Sequence, residues 1–116
     1  MEDIIQNKNL GEVVISNDVI LSMIIKSISK INGIKKVYLP KKTKFIGIGP
    51  KGKEQVITIE KDEENALLIY IPISLEYGAS IEDTAKKIQK EVKESIERNL
   101  DVKIKRVDIE IAEVEK

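Results

Sequence analysis

Apolar positions recur along this chain with two different periods, and the switches between them predict its elements. Residues 11–15, GEVVI, read as a short strand. Ser16 and Asn17 then offer N-cap side chains, and Asp18 places a negative charge in a first helical turn. Ile20, Ile24, Ile28 and Ile31 follow at helical spacing, and Leu21, Met23 and Ile25 widen the stripe. Asn32-Gly33 supplies a left-handed stop, so the pattern predicts a helix over 17–31. Residues 34–39 read as a strand stopped by Pro40, and 56–60 as another, closed by the polar turn KDEEN. The alternation is strongest over 66–77, where Leu67, Ile69, Ile71, Ile73, Leu75 and Tyr77 share one face. The other face begins with Leu68 and Tyr70 and turns to Pro72, Ser74 and Glu76, which predicts burial only at its start. Pro72 has no N–H to give a ladder, so a bulge or a sheet edge is expected there.

Ser80 opens a second helix, and Asp83 stands where a capping box places its acidic partner. Ile81, Ala85, Ile88, Val92, Ile96 and Leu100 form its apolar stripe. Its other faces carry Glu82–Lys86, Asp83–Lys87 and Glu94–Arg98 at the four-residue spacing that stabilises helices by about 0.2–0.5 kcal/mol per pair. A last strand over 103–113 sets Val107, Ile109 and Ile111 on one face. The predicted order is β-α-β-β-β-α-β. Two amphipathic helices then cover one face of a mixed β-sheet, giving an α+β, two-layer sandwich. Residues 1–10 show no such pattern and are expected to be a flexible N-terminus ahead of a single domain over 11–116.

Composition narrows the function. In 116 residues, 41% of them hydrophobic, there is room for one domain and one core. Twenty acidic and twenty basic residues cancel, which argues against attraction of the whole surface to nucleic acid or anionic lipid. The absence of Cys and His excludes disulfides, thiolate nucleophiles, imidazole bases and zinc fingers. The apolar stretch 19–25, itself interrupted by Ser22, is far short of the roughly 20 residues of a membrane span, and MEDIIQNKN lacks the basic and apolar regions of a secretory signal. A cytoplasmic protein is expected, with any membrane proximity borrowed from a partner.

Charge is unevenly placed. Residues 35–53 hold seven Lys and no acid; residues 54–116 hold sixteen acids and ten bases, a net of −6; residues 1–34 hold four acids and three bases. Lys41, Lys42, Lys44, Lys51 and Lys53 in the basic stretch are candidates for anion or partner contact. Gly49 and Gly52 there bracket a G-x-x-G, the loop with which KH domains clamp a nucleic-acid backbone. Here it stands between two strands rather than two helices, so a plain Gly/Pro turn is the simpler reading. Asp62-Glu63-Glu64-Asn65 lacks the spaced ligands and central Gly of a calcium loop and reads as a hairpin turn. Ser27-Ile28-Ser29-Lys30 has the letters of S-x-x-K but lies mid-helix, away from any oxyanion loop. No catalytic residue, cofactor or metal site is expected.

Two long stretches, GEVVISNDVILSMIIKSISKINGI and LLIYIPISLEYGASIEDTAKKIQKEVKESIERNLDVKIKRVDIEIAEV, together resemble the alkaline shock protein family. The most specific piece is Glu76-Tyr77-Gly78, followed by a helix striped with Ile81, Ala85, Ile88 and Val92. The likeness covers about 11–112 and departs from the family between Pro40 and Lys53. It implies a non-enzymatic cytoplasmic protein of cell-envelope homeostasis and stress response, an adaptor or self-assembling scaffold. It also implies protein partners, including a membrane-anchored protein. The residues themselves predict a weak, salt-sensitive homo-oligomer, through a strand edge at Pro72 in 66–77, the surplus apolar positions Leu21, Met23 and Ile25, and a +7 segment on an acidic body. The alternative is a KH-like RNA-binding module using the Gly49–Gly52 loop and its neighbouring lysines.

Overall fold

The long alternating stretch of the sequence becomes the centre of the fold. In the computed structural model, which describes residues 4–7, 11–40 and 56–116, strand β5 (Leu67–Glu76) is paired along both edges. Strand β6 (Ile104–Glu115) runs parallel to it over its whole length. On the other edge two short antiparallel strands share it: β3 (Ile34–Val37) pairs with the Ile73–Leu75 end, and β4 (Thr58–Lys61) with the Leu67–Tyr70 end. The sheet is therefore mixed. Helices α1 (Asn17–Ile28) and α2 (Ile81–Leu100) pack on each other and on one face of it.

The core is the meeting of three apolar stripes. Leu67, Ile69, Ile71, Ile73 and Leu75 are at most 1% exposed, and against them lie Ile20, Ile24 and Ile28 from α1 and Ile88, Val92 and Ile96 from α2. The central positions of the stripes singled out in the sequence are the ones buried, as a two-layer α+β sandwich requires, whereas Ile81 at the start of the α2 stripe is exposed and Ile31, Ala85 and Leu100 are half-buried. Tyr77 departs from the pattern. β5 ends at Glu76, and the Tyr77 side chain is 70% exposed.

Pro72 sits in the central strand, not at an edge, and the reason lies in its missing N–H. Its carbonyl accepts from Tyr38 N–H, but it has no N–H to return. The Tyr38 carbonyl instead accepts from Ile57 N–H at 2.9 Å. Pro72 thus marks the point where the ladder passes from β3 to β4. The bulge expectation finds its counterpart beside it, where β6 slips register between Ile73 and Ser74. The predicted burial of β5's second face is reversed: Pro72 and Ser74 are fully buried, whereas Leu68 and Tyr70 are half-buried. Both buried residues are short and stand in the middle of the sheet. Longer neighbours flank them, Lys36 and Glu113 beside Ser74 and Glu110 beside Pro72.

Three local expectations shift. Helix α1 ends at Ile28 rather than 31, and Ser16 makes no side-chain cap bond; its carbonyl alone accepts from Val19 and Ile20 N–H. Gly33, at φ +98°, serves the entry to β3, where its carbonyl accepts from Glu76 N–H at 2.8 Å. Finally β2 (Gly11–Val14) does not join the main sheet. It pairs with β1 (Ile4–Asn7), a strand without a clear signature in the sequence, in a separate two-stranded sheet. At α2 the expected cap forms: Ser80 Oγ accepts from Asp83 N–H at 3.3 Å.

Candidate functional site

The basic candidates Lys41, Lys42, Lys44, Gly49, Lys51, Gly52 and Lys53 all lie outside the described residues. Their flanks are placed. The Tyr38–Ile57 hydrogen bond brings both ends of this stretch to the β3–β4 junction, opposite Pro72.

The face of the sheet away from the helices carries two polar groupings. Glu110 accepts from the Tyr70 hydroxyl, and this bond, with partial burial behind it, pushes the phenol up to about 12. Glu115 accepts from Ser74 Oγ at 3.0 Å and pairs with Lys36 Nζ at 3.3 Å. The Ser74 hydroxyl first, and then Lys36, hold the Glu115 carboxyl below its ordinary range; in return Glu115 raises Lys36. Both groupings tie β5 to β6 or β3 and have the geometry of structural bridges. At the β4–β5 hairpin, Asp62 Oδ1 accepts from Glu64 and Ala66 N–H while Oδ2 faces Lys105 Nζ at 3.4 Å. Those bonds, led by the one from Ala66, lower its carboxyl and make the acidic turn a self-satisfied Asx turn. Among the described residues no group of three or more His, Cys, Asp or Glu could hold a metal. Ser27 is buried with its hydroxyl donating to the Met23 carbonyl at 2.9 Å, a helix back-bond rather than a poised nucleophile.

Two surfaces stand out. The first is the corner where β5 and β6 end. There Tyr77 N–H donates to the Glu115 carbonyl at 2.7 Å, Val114 stands beside Leu75, and α2 begins at Ile81. Tyr77, Ile81 and Val114 are 70%, 51% and 46% exposed, and Lys116 Nζ lies 5.4 Å from the Tyr77 ring centre. Val114 lies on β6, along whose outer edge no described strand pairs. α2 covers only the start of that edge: Glu97 accepts from Ile104 N–H and Gln89 Nε2 donates to the Val107 carbonyl, both at 3.0 Å. The corner is built on glycines. A Cβ at Gly33 would stand 3.2 Å from Ala79 Cβ, and Gly78 takes φ +97° to turn the chain into α2. Glu76-Tyr77-Gly78 is the piece on which the family likeness chiefly rested, and here its geometry gives the physical need for it. The corner was missed as a site because Tyr77 continues the β5 alternation in the sequence and reads as core.

The second surface is a cleft of about 360 Å³ between the helices, lined by Met23, Lys26, Ser27 and Lys30 on one side and Glu91, Ser95, Arg98 and Asn99 on the other. The pairs expected along α2 do not close: among the described residues neither Glu94–Arg98, Glu82–Lys86 nor Asp83–Lys87 makes an ion pair.

A family model spanning residues 5–116, that of the alkaline shock protein 23 family with a cell envelope-related function, matches this chain. No curated protein and no solved structure matches it.

Proposed function

The chain belongs to the alkaline shock protein 23 family, and from that premise we propose that it is a non-enzymatic adaptor or self-assembling scaffold of the cell envelope. The family match carries this reading, since it takes in every element of the main sheet and both helices. Its envelope-related role follows from the family; the protein-binding role is the step added here. The corner of Tyr77, Ile81 and Val114 supports that step. Exposed apolar side chains near a strand edge along which no described strand pairs offer both main-chain hydrogen bonds and pockets to an added strand. Among the described residues no helix is long and apolar enough to cross a membrane. In this reading the chain sits in the cytoplasm and reaches the membrane by way of a protein partner. Affinity capture from native lysate, with mass spectrometry and parallel RNA recovery, tests it against the KH-like alternative. The expected result is a defined set of envelope proteins held by the wild-type chain and lost from a Val114→Lys variant that keeps its fold. Recovery of RNA in place of those proteins overturns the adaptor reading.

A further inference from the structure

We infer that the cleft between α1 and α2 binds a phosphate ester, through Lys26, Lys30 and Arg98. Each of the three cations has a local explanation on its own. Lys26 and Arg98 stand in the last turns of their helices, where a positive charge complements the macrodipole, and a solvated lysine such as Lys30 needs none. Their convergence has no such explanation. Two separate elements bring three cations to one concavity, in a chain whose residues 54–116 carry a net charge of −6. None of the three has an ion-pair partner among the described residues, although Glu94 is spaced to hold Arg98.

The remaining lining fits the same chemistry. Arg offers a planar fork that matches two phosphate oxygens, and Lys adds mobile point charge. Ser95 and Asn99 bring short polar groups to the same wall. Glu91 is the one carboxylate present; against three cations it leaves a local charge of +2. It also supplies an acceptor for a hydroxyl on the ligand, so an ester of a polyol suits the cleft better than bare phosphate. The cleft is open to solvent, so binding is weak and falls with salt. The same ligand chemistry occurs in soluble phosphate esters and in the headgroups of anionic phospholipids. This site is separate from the protein-binding corner and does not depend on it.

The test is amide-resolved NMR titration of the full chain with glycerol 3-phosphate, inorganic phosphate and sulfate, alongside sedimentation with phosphatidylglycerol or phosphatidylcholine vesicles. Glycerol 3-phosphate is expected to shift amides around Lys26, Lys30 and Arg98 saturably, more tightly than sulfate. The double variant Lys30→Gln, Arg98→Gln, with all seven lysines of residues 35–53 intact, should lose about tenfold in affinity. Glu91→Gln should bind more tightly, a sign that a merely structural role for this residue does not produce. Phosphatidylglycerol pelleting that disappears in the double variant assigns the headgroup as the source. Saturation by glycerol 3-phosphate without vesicle binding assigns a soluble ester. Absence of saturable shifts at millimolar ester, or shifts of equal affinity in wild type and double variant, overturns the site.

Discussion

Tyr70 and Glu115 show how single residues on the open face set the limits of the fold in pH. Hydrogen bonding to Glu110 raises the Tyr70 phenol to about 12, so its neutral form is favoured in the folded state. A raised pKa contributes stability below the unfolded value, near 10.0, and that contribution is lost as pH climbs towards the folded one. An alkaline titration of phenolate absorbance should show one tyrosine ionising near 12, and Tyr70→Phe should remove that step. Glu115 has the opposite sign. Its carboxyl is lowered by Ser74 and Lys36, so its contribution is present above the unfolded value of about 4.5 and is lost as pH falls through the lower folded one. Urea midpoints measured from neutral to acidic pH should fall less steeply in Glu115→Gln than in wild type. Equal slopes in the two proteins would show that the Ser74–Glu115–Lys36 grouping does not couple to folding. None of these bonds was visible in the sequence, because the partners lie 40 and 41 residues apart for Tyr70–Glu110 and Ser74–Glu115.

Element by element, legibility followed how local the cause was. The buried stripes of both helices and of β5 came through because periodicity is a property of neighbouring residues. The Ser80 cap was equally legible, being a contact three residues long. The early end of α1 was not, because Gly33 answers to Ala79, Thr84 and the Glu76 N–H across the corner rather than to its own helix. Pro72 signals a bulge or an edge in the sequence, and which of them it marks depends on which strand receives the freed Tyr38 carbonyl. Two substitutions separate these causes. Gly33→Ala meets both a left-handed backbone and the Ala79 Cβ at 3.2 Å, whereas at Gly78 nothing lies within 4 Å of an added Cβ. Gly78→Ala should cost about 1 kcal/mol from the backbone alone, and Gly33→Ala distinctly more, read as denaturant midpoints. In α2, Ile88→Ala empties a fully buried site and should cost about 2–5 kcal/mol. Ile81→Ala, at an exposed position, should stay within about 0.5 kcal/mol.

At the scale of the whole molecule the question is how copies meet. Among the described residues β5 is paired on both sides, β3 and β4 form one edge of the sheet and β6 the other; the outer half of β6 carries Asp108, Glu110, Glu113 and Glu115 with no basic residue between Val107 and Glu115. Antiparallel pairing of two β6 edges would set these acids against one another, which disfavours a symmetric strand-to-strand dimer. A head-to-tail contact has no such obstacle, because residues 35–53 of every chain carry seven lysines and no acid. Such a contact is heterologous and can propagate, as a scaffold requires. It is also ionic and exposed, so added salt weakens it. A weak homo-oligomer is therefore expected at low ionic strength, dissolving as salt is raised, with no binding to neutral vesicles. Light scattering over a range of protein and salt concentrations, with sedimentation against phosphatidylcholine vesicles, checks both halves. Reversing two charges on the acidic edge, Glu110→Lys with Glu113→Lys, should abolish assembly if β6 is the acceptor. A strict monomer at high concentration and low salt removes self-assembly from the proposed function, while assembly that persists in the double variant moves the contact away from this edge.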